Sequence, residues 1–231
     1  VTDRKQTLVE YARLCRQTPP VDLGFSRHAF AICDCRDLDL SDADLSLGDF
    51  EGGLFCLSNL SRTDLSGARL FRADLCRTSA CCTRLSGANL AYASLRSANL
   101  TGADLSGANL AGAHMHRADL TDADLSGADL TAAFLDNVYL NDTKLAGAIV
   151  EEGVIDAYIA GETSTYNYRW FALRLTSGKI ILQYGCDRAP LAEWQGRTPD
   201  YCATHGHRDY FWWEGPALAI AATERWASQG S

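Results

Sequence analysis

Large apolar residues recur every five positions through the middle of the chain. They fall at Leu40, Leu45, Phe50, Phe55, Leu60, Leu65, Leu70 and Leu75. They resume at Leu85, Leu90, Leu95, Leu100, Leu105, Leu110, Met115, Leu120, Leu125, Leu130, Leu135, Leu140, Leu145 and Val150. Ala80 alone interrupts the series, and it keeps the phase. Two residues before most of them stands a small one, such as Ala43, Gly48, Thr63, Ala68 or Ala103. A period of five suits neither regular element. On an α-helix successive leucines would step about 140° and visit every side. On a flat strand an odd period would send them alternately to opposite faces. They share one side only if the chain turns a corner within each block. The intervening Asp, Asn, Ser, Thr and Gly are the residues that turns require.

Stretches such as "ANLTGADLSGANLAGA" and "ADLTDADLSGADLTAA" resemble the A(D/N)LXX motif of the pentapeptide-repeat family. That resemblance implies a β-solenoid, a right-handed quadrilateral β-helix in which four blocks make one coil. The central residue and the small one before it point inward, and the other three point outward. Stacking at a repeat of twenty then gives four columns, and we take Leu45, Leu65, Leu85, Leu105, Leu125 and Leu145 as the structural core. Coils about 4.8 Å apart would make about six coils into a rod roughly 30 Å long. Each buried leucine contributes roughly 1.5–3 kcal/mol. Ala80, within "RTSACCTRL", is expected to be a weak spot.

The ends read differently. Residues 1–30 are expected to hold an N-terminal capping helix and linker. In "DRKQTLVEYARLCRQ" Leu8, Tyr11, Leu14 and Cys15 lie at helical spacing, and "TPPVDL" breaks the run. Such a cap would cover the open backbone edge of a solenoid occupying residues 31–150. Residues 151–231 lack the repeat and read as a small α+β module. "YRWFALRLTSGKIILQYGC" suggests a hairpin about Ser177 and Gly178. "APLAEWQ", "TPDYCATHG" and "GPALAIAATERWA" suggest helices, and all five tryptophans fall in this part. Its "YGCDRAPLAEW" resembles a short C-terminal segment found on phage-encoded proteins, some of them pentapeptide-repeat proteins.

Charge narrows the function. The net charge is −8, and residues 31–150 hold sixteen acidic against nine basic side chains. An acidic body argues against direct binding to nucleic acid, whose phosphates want Lys and Arg. No apolar run is long enough to span a membrane, and the opening "VTDRKQTLVE" has no signal-peptide h-region. Nine cysteines without a regular framework suit a reduced, cytoplasmic setting. We find no G-x-S-x-G, phosphate loop or H-E-x-x-H, so no enzyme and no cofactor is expected.

Two binding faces are candidates. Outward carboxylates form an acidic face with Asp44, Asp64, Asp104, Asp119, Asp124 and Asp129, a regular negative surface on a stiff support. A second, irregular face carries Leu54, Arg77, His114, His116 and Phe134, with Cys56 and Leu57 beside them, and exposed apolar residues on a polar rod suggest contact with something. His114 and His116 flank inward Met115, so on a flat face both would leave on the same side. Two imidazoles lack the third and fourth ligand that a metal wants, which leaves a protein contact surface or plain surface variation. In the C-terminal module Cys186, Cys202, His205 and His207 could supply four zinc ligands, but they match no standard spacing, and a small core with a buried thiol and satisfied imidazoles is the preferred reading, so no metal is expected. Cys33 with Cys35, and Cys81 with Cys82, read as small fillers or as redox pairs.

Well-studied members of the resembled family are acidic rods that engage DNA gyrase or topoisomerase IV and confer quinolone resistance. The resemblance therefore implies a non-enzymatic, protein-binding acidic rod, a duplex-DNA mimic whose partner is a DNA-processing enzyme. The phage-like segment would extend that partner class to a host defence nuclease. Family members usually dimerise through a short C-terminal helix, so a homodimer is a further expectation, although a larger Trp-rich module takes that end here. The alternative is a scaffold or adaptor whose C-terminal module recognises a protein partner.

Overall fold

The computed structural model describes residues 5–9, 34–163, 168–184, 187–196 and 214–229. The chain forms two compact units, residues 1–151 and 152–231.

In the first unit one local conformation repeats every five residues. Around Leu45 the Leu45 carbonyl accepts the Gly48 N–H at 3.2 Å, closing a four-residue turn. Its third residue, Leu47, has φ 58°, and positive φ at that place is the mark of a type II turn. Positive φ recurs at every corner from Asp37 to Gly147. Glycine fills only some of these corners; fifteen are occupied by other residues, Arg62 and Tyr92 among them. Left-handed backbone is disfavoured by roughly 1–2 kcal/mol for such residues, so the closed coil imposes the corner, whatever side chain it holds.

Between corners the extended pieces pair in parallel with those twenty residues on. Twenty such bridges run from Asp34↔Leu54 to Asp129↔Ile149 without a slip. A typical rung has Asp64 N–H donating to the Ala43 carbonyl at 2.8 Å and Leu45 N–H donating to the Asp64 carbonyl at 2.7 Å. Twenty residues therefore make one four-sided coil, and the backbone polar groups of each coil are met by the next. The column Leu45, Leu65, Leu85, Leu105, Leu125, Leu145 is at most 4% exposed. Met115 lies fully buried in its own column, and Cys35 takes the inward place twenty residues before Phe55. Ala80 also points inward, between the buried Leu60 and Leu100.

The small inward position has its own chemistry. Where it holds threonine, the buried hydroxyl reaches a carbonyl of the preceding coil. Thr63 donates to Leu40 at 2.8 Å, Thr83 to Leu60 at 2.7 Å and Thr143 to Leu120 at 2.8 Å. Ser58, one carbon shorter, is buried with no hydrogen-bond partner for its Oγ among the described residues. Of the expected capping helix, residues 5–9 are described and helical. Lys5 Nζ donates to the Ser41 carbonyl at 2.6 Å and Leu8 is buried. Tyr11, Leu14 and Cys15 lie outside the described residues. The repeat ends in β1 (Ile149–Val150), where Ile149 closes the last bridge.

The second unit holds an antiparallel meander of β2 (Gly153–Thr163), β3 (Tyr168–Leu175), β4 (Ile180–Tyr184) and β5 (Asp187–Pro190), followed by α1 (Leu191–Gly196) and α2 (Glu214–Gln229). β3 and β4 are the expected hairpin, with Gly178 at φ 82° in its turn. β2 and β5 were not expected. β2 pairs with β3 through Tyr158↔Leu173 and Gly161↔Trp170, and β4 with β5 through Leu182↔Ala189. The core holds Trp170, Ala172, Leu182, Ala189, Trp194 and Ala219. Trp194 is fully buried, and its Nε1 donates to the Leu182 carbonyl at 2.9 Å, which satisfies the indole where water is excluded. Of the expected helices, "APLAEWQ" contributes α1, with Ala189 and Pro190 in β5 instead, and "GPALAIAATERWA" falls in α2. "TPDYCATHG" lies outside the described residues.

Candidate functional site

The outward carboxylates first serve the turns. One oxygen of each accepts the backbone N–H two residues on: Asp44 from Ser46 at 3.2 Å, Asp64 from Ser66 at 2.9 Å and Asp104 from Ser106 at 3.0 Å. Asp119 does so with Thr121 at 3.0 Å, Asp124 with Ser126 at 2.9 Å and Asp129 with Thr131 at 2.9 Å. This is the Asx turn, which an amide oxygen makes equally well. Asn59, Asn89, Asn99 and Asn109 do so here. The Asp/Asn choice is therefore free of the fold, and the charge is a separate property. The Ser126 hydroxyl and N–H, helped by Lys144, hold the Asp124 carboxyl below the ordinary carboxylate range. Burial pushes Asp64 up, but Ser66 and Arg84 together outweigh it and the net shift is downward.

The ion pairs then divide the acids into two groups. Bases twenty residues on neutralise several of them: Arg62 meets Asp42 at 2.7 Å, Arg84 meets Asp64 at 3.0 Å and Lys144 meets Asp124 at 3.2 Å. Arg69 lies 3.5 Å from Asp49 and 3.1 Å from Glu51. Such exposed pairs stabilise little, but they cancel field. Among the described residues Asp104, Asp119, Asp122, Asp129 and Asp142 form no ion pair. Asp37, Asp39 and Asp74 likewise form none, so unpaired carboxylates occur along the repeat, and the later part holds the group of five. Asp122 and Asp142 were absent from the expected acidic face; they occupy corners twenty residues apart, with φ 58° and 53°.

On the irregular side Leu54, Asp74, Ser94, His114 and Phe134 form one bridged ladder. The His114 and Phe134 rings stack with centroids 4.6 Å apart and planes within 10°. His116 does not share a flat piece with His114. The extended stretch ends at Met115, and His116 opens the corner with Arg117 at φ 58°. The physical reason is the short side of the coil, which turns after every central residue. Arg77 is likewise a corner residue, twenty on from the exposed corner residue Leu57. An aromatic group missed in the sequence lies at the neighbouring corner. Tyr92, 58% exposed, meets Phe71 edge-on at 5.9 Å, and the Arg72 guanidinium sits 5.0 Å from the Phe71 ring. The signal was available, since Phe71 and Tyr92 are corner residues on successive coils.

One set of three metal-ligating side chains occurs among the described residues: Cys56, Asp74 and Cys76. The spacing of twenty between the cysteines is its sequence signature. Cys35, Cys56, Cys76, Cys81 and Cys82 all stand as thiols, and Cys81 and Cys82 are the two residues of one corner. Cys33, Cys186, Cys202, His205 and His207 lie outside the described residues. No helix among the described residues is long and apolar enough to cross a membrane.

The family described as pentapeptide repeats matches the chain in eight copies, within residues 33–75, 68–107, 82–122, 98–137 and 123–152. No curated protein matches it. Among solved structures it is similar to a pentapeptide repeat protein from the cyanobacterium Cyanothece 51142, 36% identical over 41% of this chain and 60% of that one, with TM-score 0.32. Another, from Nostoc Pcc 7120, is 40% identical over 38% of this chain and 68% of that one, with TM-score 0.30. QnrB1, a plasmid-mediated fluoroquinolone resistance protein, is 25% identical over 46% of this chain and 60% of its own length, with TM-score 0.36.

Proposed function

Since the chain belongs to the pentapeptide-repeat family, we propose that it is a non-enzymatic, protein-binding acidic solenoid. In this reading it occupies the duplex-binding surface of a DNA-processing enzyme of the gyrase or topoisomerase kind. The observation that carries this is the group of unpaired carboxylates at Asp104, Asp119, Asp122, Asp129 and Asp142. Their density fits. The coil of residues 117–136 holds three of them, Asp119, Asp122 and Asp129, against one base, Arg117. At a rise of about 4.8 Å per coil, that is about one net charge per 2.4 Å, of the same order as the one per about 1.7 Å along a DNA duplex. The Asx hydrogen bonds of Asp104, Asp119 and Asp129 hold those carboxylates in place, so little ordering cost remains for a partner to meet. The test is gyrase supercoiling with increasing amounts of the protein. Inhibition or protection at micromolar levels, weakened when Asp119, Asp122 and Asp129 become Asn, supports the reading. No effect at those levels removes gyrase as the partner.

A scaffold or adaptor role is the second reading. It draws on the separate core of the second unit around Trp170 and Trp194, which suits a recognition head carried by a spacer. Deleting residues 151–231 separates the two, because a partner held by the acidic coils stays bound and one held by the head is lost.

A further inference from the structure

Cys56 and Cys76 follow the inward residues Phe55 and Leu75 on successive coils, and each opens a corner. Asp74 lies on the extended piece before Leu75, bridged to Leu54. Two thiols and a carboxylate oxygen from two coils thereby lie within 4.8 Å of one another, all half-buried. The carboxylate is not loose: one of its oxygens accepts the Cys76 backbone N–H at 3.0 Å, which holds it against the Cys76 side chain.

We infer that Cys56, Asp74 and Cys76 form a coil-spanning site for a thiophilic divalent cation of the zinc type, with solvent as the fourth ligand. Two sulfurs and one carboxylate are a donor set that tetrahedral zinc accepts, and a three-ligand set leaves one open position. Zinc–sulfur bonds of about 2.3 Å put two sulfurs about 3.8 Å apart in a tetrahedron. Closing from the observed spread asks for side-chain shifts of at most about 1 Å. Charge fits as well. Two thiolates and a carboxylate total −3, so the loaded site carries −1, and Arg77 lies close enough to act on the Cys56 thiol electrostatically. The two thiols come from adjacent coils, so a bound ion ties those coils together.

The full-length chain, reduced and stripped of metal, is titrated with cobalt(II), whose thiolate charge-transfer band reports sulfur ligation. We expect one equivalent per chain to be lost from the titration in Cys56→Ser and in Cys76→Ser, and kept in Cys81→Ser/Cys82→Ser. Asp74→Asn is expected to weaken it at least as much as loss of an outer-shell partner does, about 10- to 100-fold. The same titration in Cys186→Ser/Cys202→Ser keeps the C-terminal thiols from standing in, and the band must survive there. Zinc should raise the melting temperature of the unaltered chain and leave that of Cys56→Ser unmoved. A band that persists undiminished in the Cys56→Ser/Cys76→Ser chain, with that chain folded by circular dichroism, overturns the site. So does recovery of Cys56 joined to Cys76 as a disulfide from chain purified without oxidant.

Discussion

The Phe50 ring fills the space that a side chain on Gly48 would need: a Cβ there would lie 2.3 Å from Phe50 Cε2 and 3.1 Å from the Leu45 carbonyl oxygen. The inward pair of each block is thus one packing unit. Where the central residue is leucine the small one is commonly alanine; where it is Phe50 or Phe55 the small one is Gly48 or Gly53. Phe50 and Phe55 also meet edge-on at 5.7 Å. Gly48→Ala should lower stability by about 1–3 kcal/mol, the usual cost of overpacking. Adding Phe50→Leu should recover most of it. Thermal melts of the two single variants and the double variant check this, and simple additivity would sink it.

Gly112 and Gly107 share a left-handed backbone, φ 66° and 62°, but not their surroundings. A Cβ at Gly107 meets nothing, whereas one at Gly112 would lie 2.6 Å from Tyr92 Cε1. Gly112→Ala should therefore cost more than Gly107→Ala, by about 0.5–1.5 kcal/mol, since the Tyr92 ring must leave its rotamer. Denaturant midpoints measured again with Tyr92→Ala decide the cause. The gap should vanish there.

Ser58 and Thr83 occupy the same position of their blocks with opposite outcomes. Ser58→Ala removes a buried hydroxyl without a described partner and should stabilise by about 1 kcal/mol. Thr83→Ala breaks the 2.7 Å bond to Leu60 and should destabilise by about 1–2 kcal/mol. Equal and small effects for both would contradict this account of the small position.

Acid should weaken the coil through its capped carboxylates. Asp39 and Asp124 are held below their ordinary values, chiefly by the hydroxyl and N–H groups of Ser41 and Ser126. A depressed folded-state value means stability that is present above the unfolded value of about 3.9 and is lost as pH falls through the folded one. Asp124→Asn keeps an amide oxygen for Ser126 and loses the charge that faces Lys144. The stability gap between the two chains should therefore be constant from about pH 7 to 5 and close below about pH 4. A gap that widens on acidification reverses the sign and refutes the assignment.

The two faces should be separable by salt. If the later acids bind the partner, changing Asp119, Asp122 and Asp129 to Asn weakens capture and flattens its salt dependence. If the irregular face binds, changing His114 and His116 to Asn and Phe134 to Ala weakens capture and leaves the salt slope alone. Surface changes of these kinds should move stability by no more than about 0.5 kcal/mol, so lost binding is not lost folding. Capture untouched by the second set would leave those residues as surface variation.

The five-residue period by itself determined that the chain turns within every block; the four-sided coil of twenty residues was what the family resemblance implied. Once leucines recur at a spacing that fits neither helix nor strand, only a chain that turns within each block can bury them together, and the inward residues follow one by one. The hairpin at Ser177 and Gly178 was legible for a similar reason, because a turn dipeptide between β-prone runs is a local signal. β2 was not, since Val154, Ile155, Ala157 and Ile159 alternate poorly and become a strand through pairing with β3. Tertiary structure also decided the character of the candidate faces. Asp64 and Asp104 look alike in the chain and both neighbour Arg84 on the ladder, yet among the described residues Arg84 forms an ion pair with Asp64 alone. Cys56 and Cys76 are remote in sequence and neighbours in space. His116 falls on a corner and leaves His114 to stack on Phe134. Burial is set by a residue's own place in the period. Charge pairing, ring stacking and ligand convergence depend instead on the side chain one coil away, which only the closed coil brings within reach.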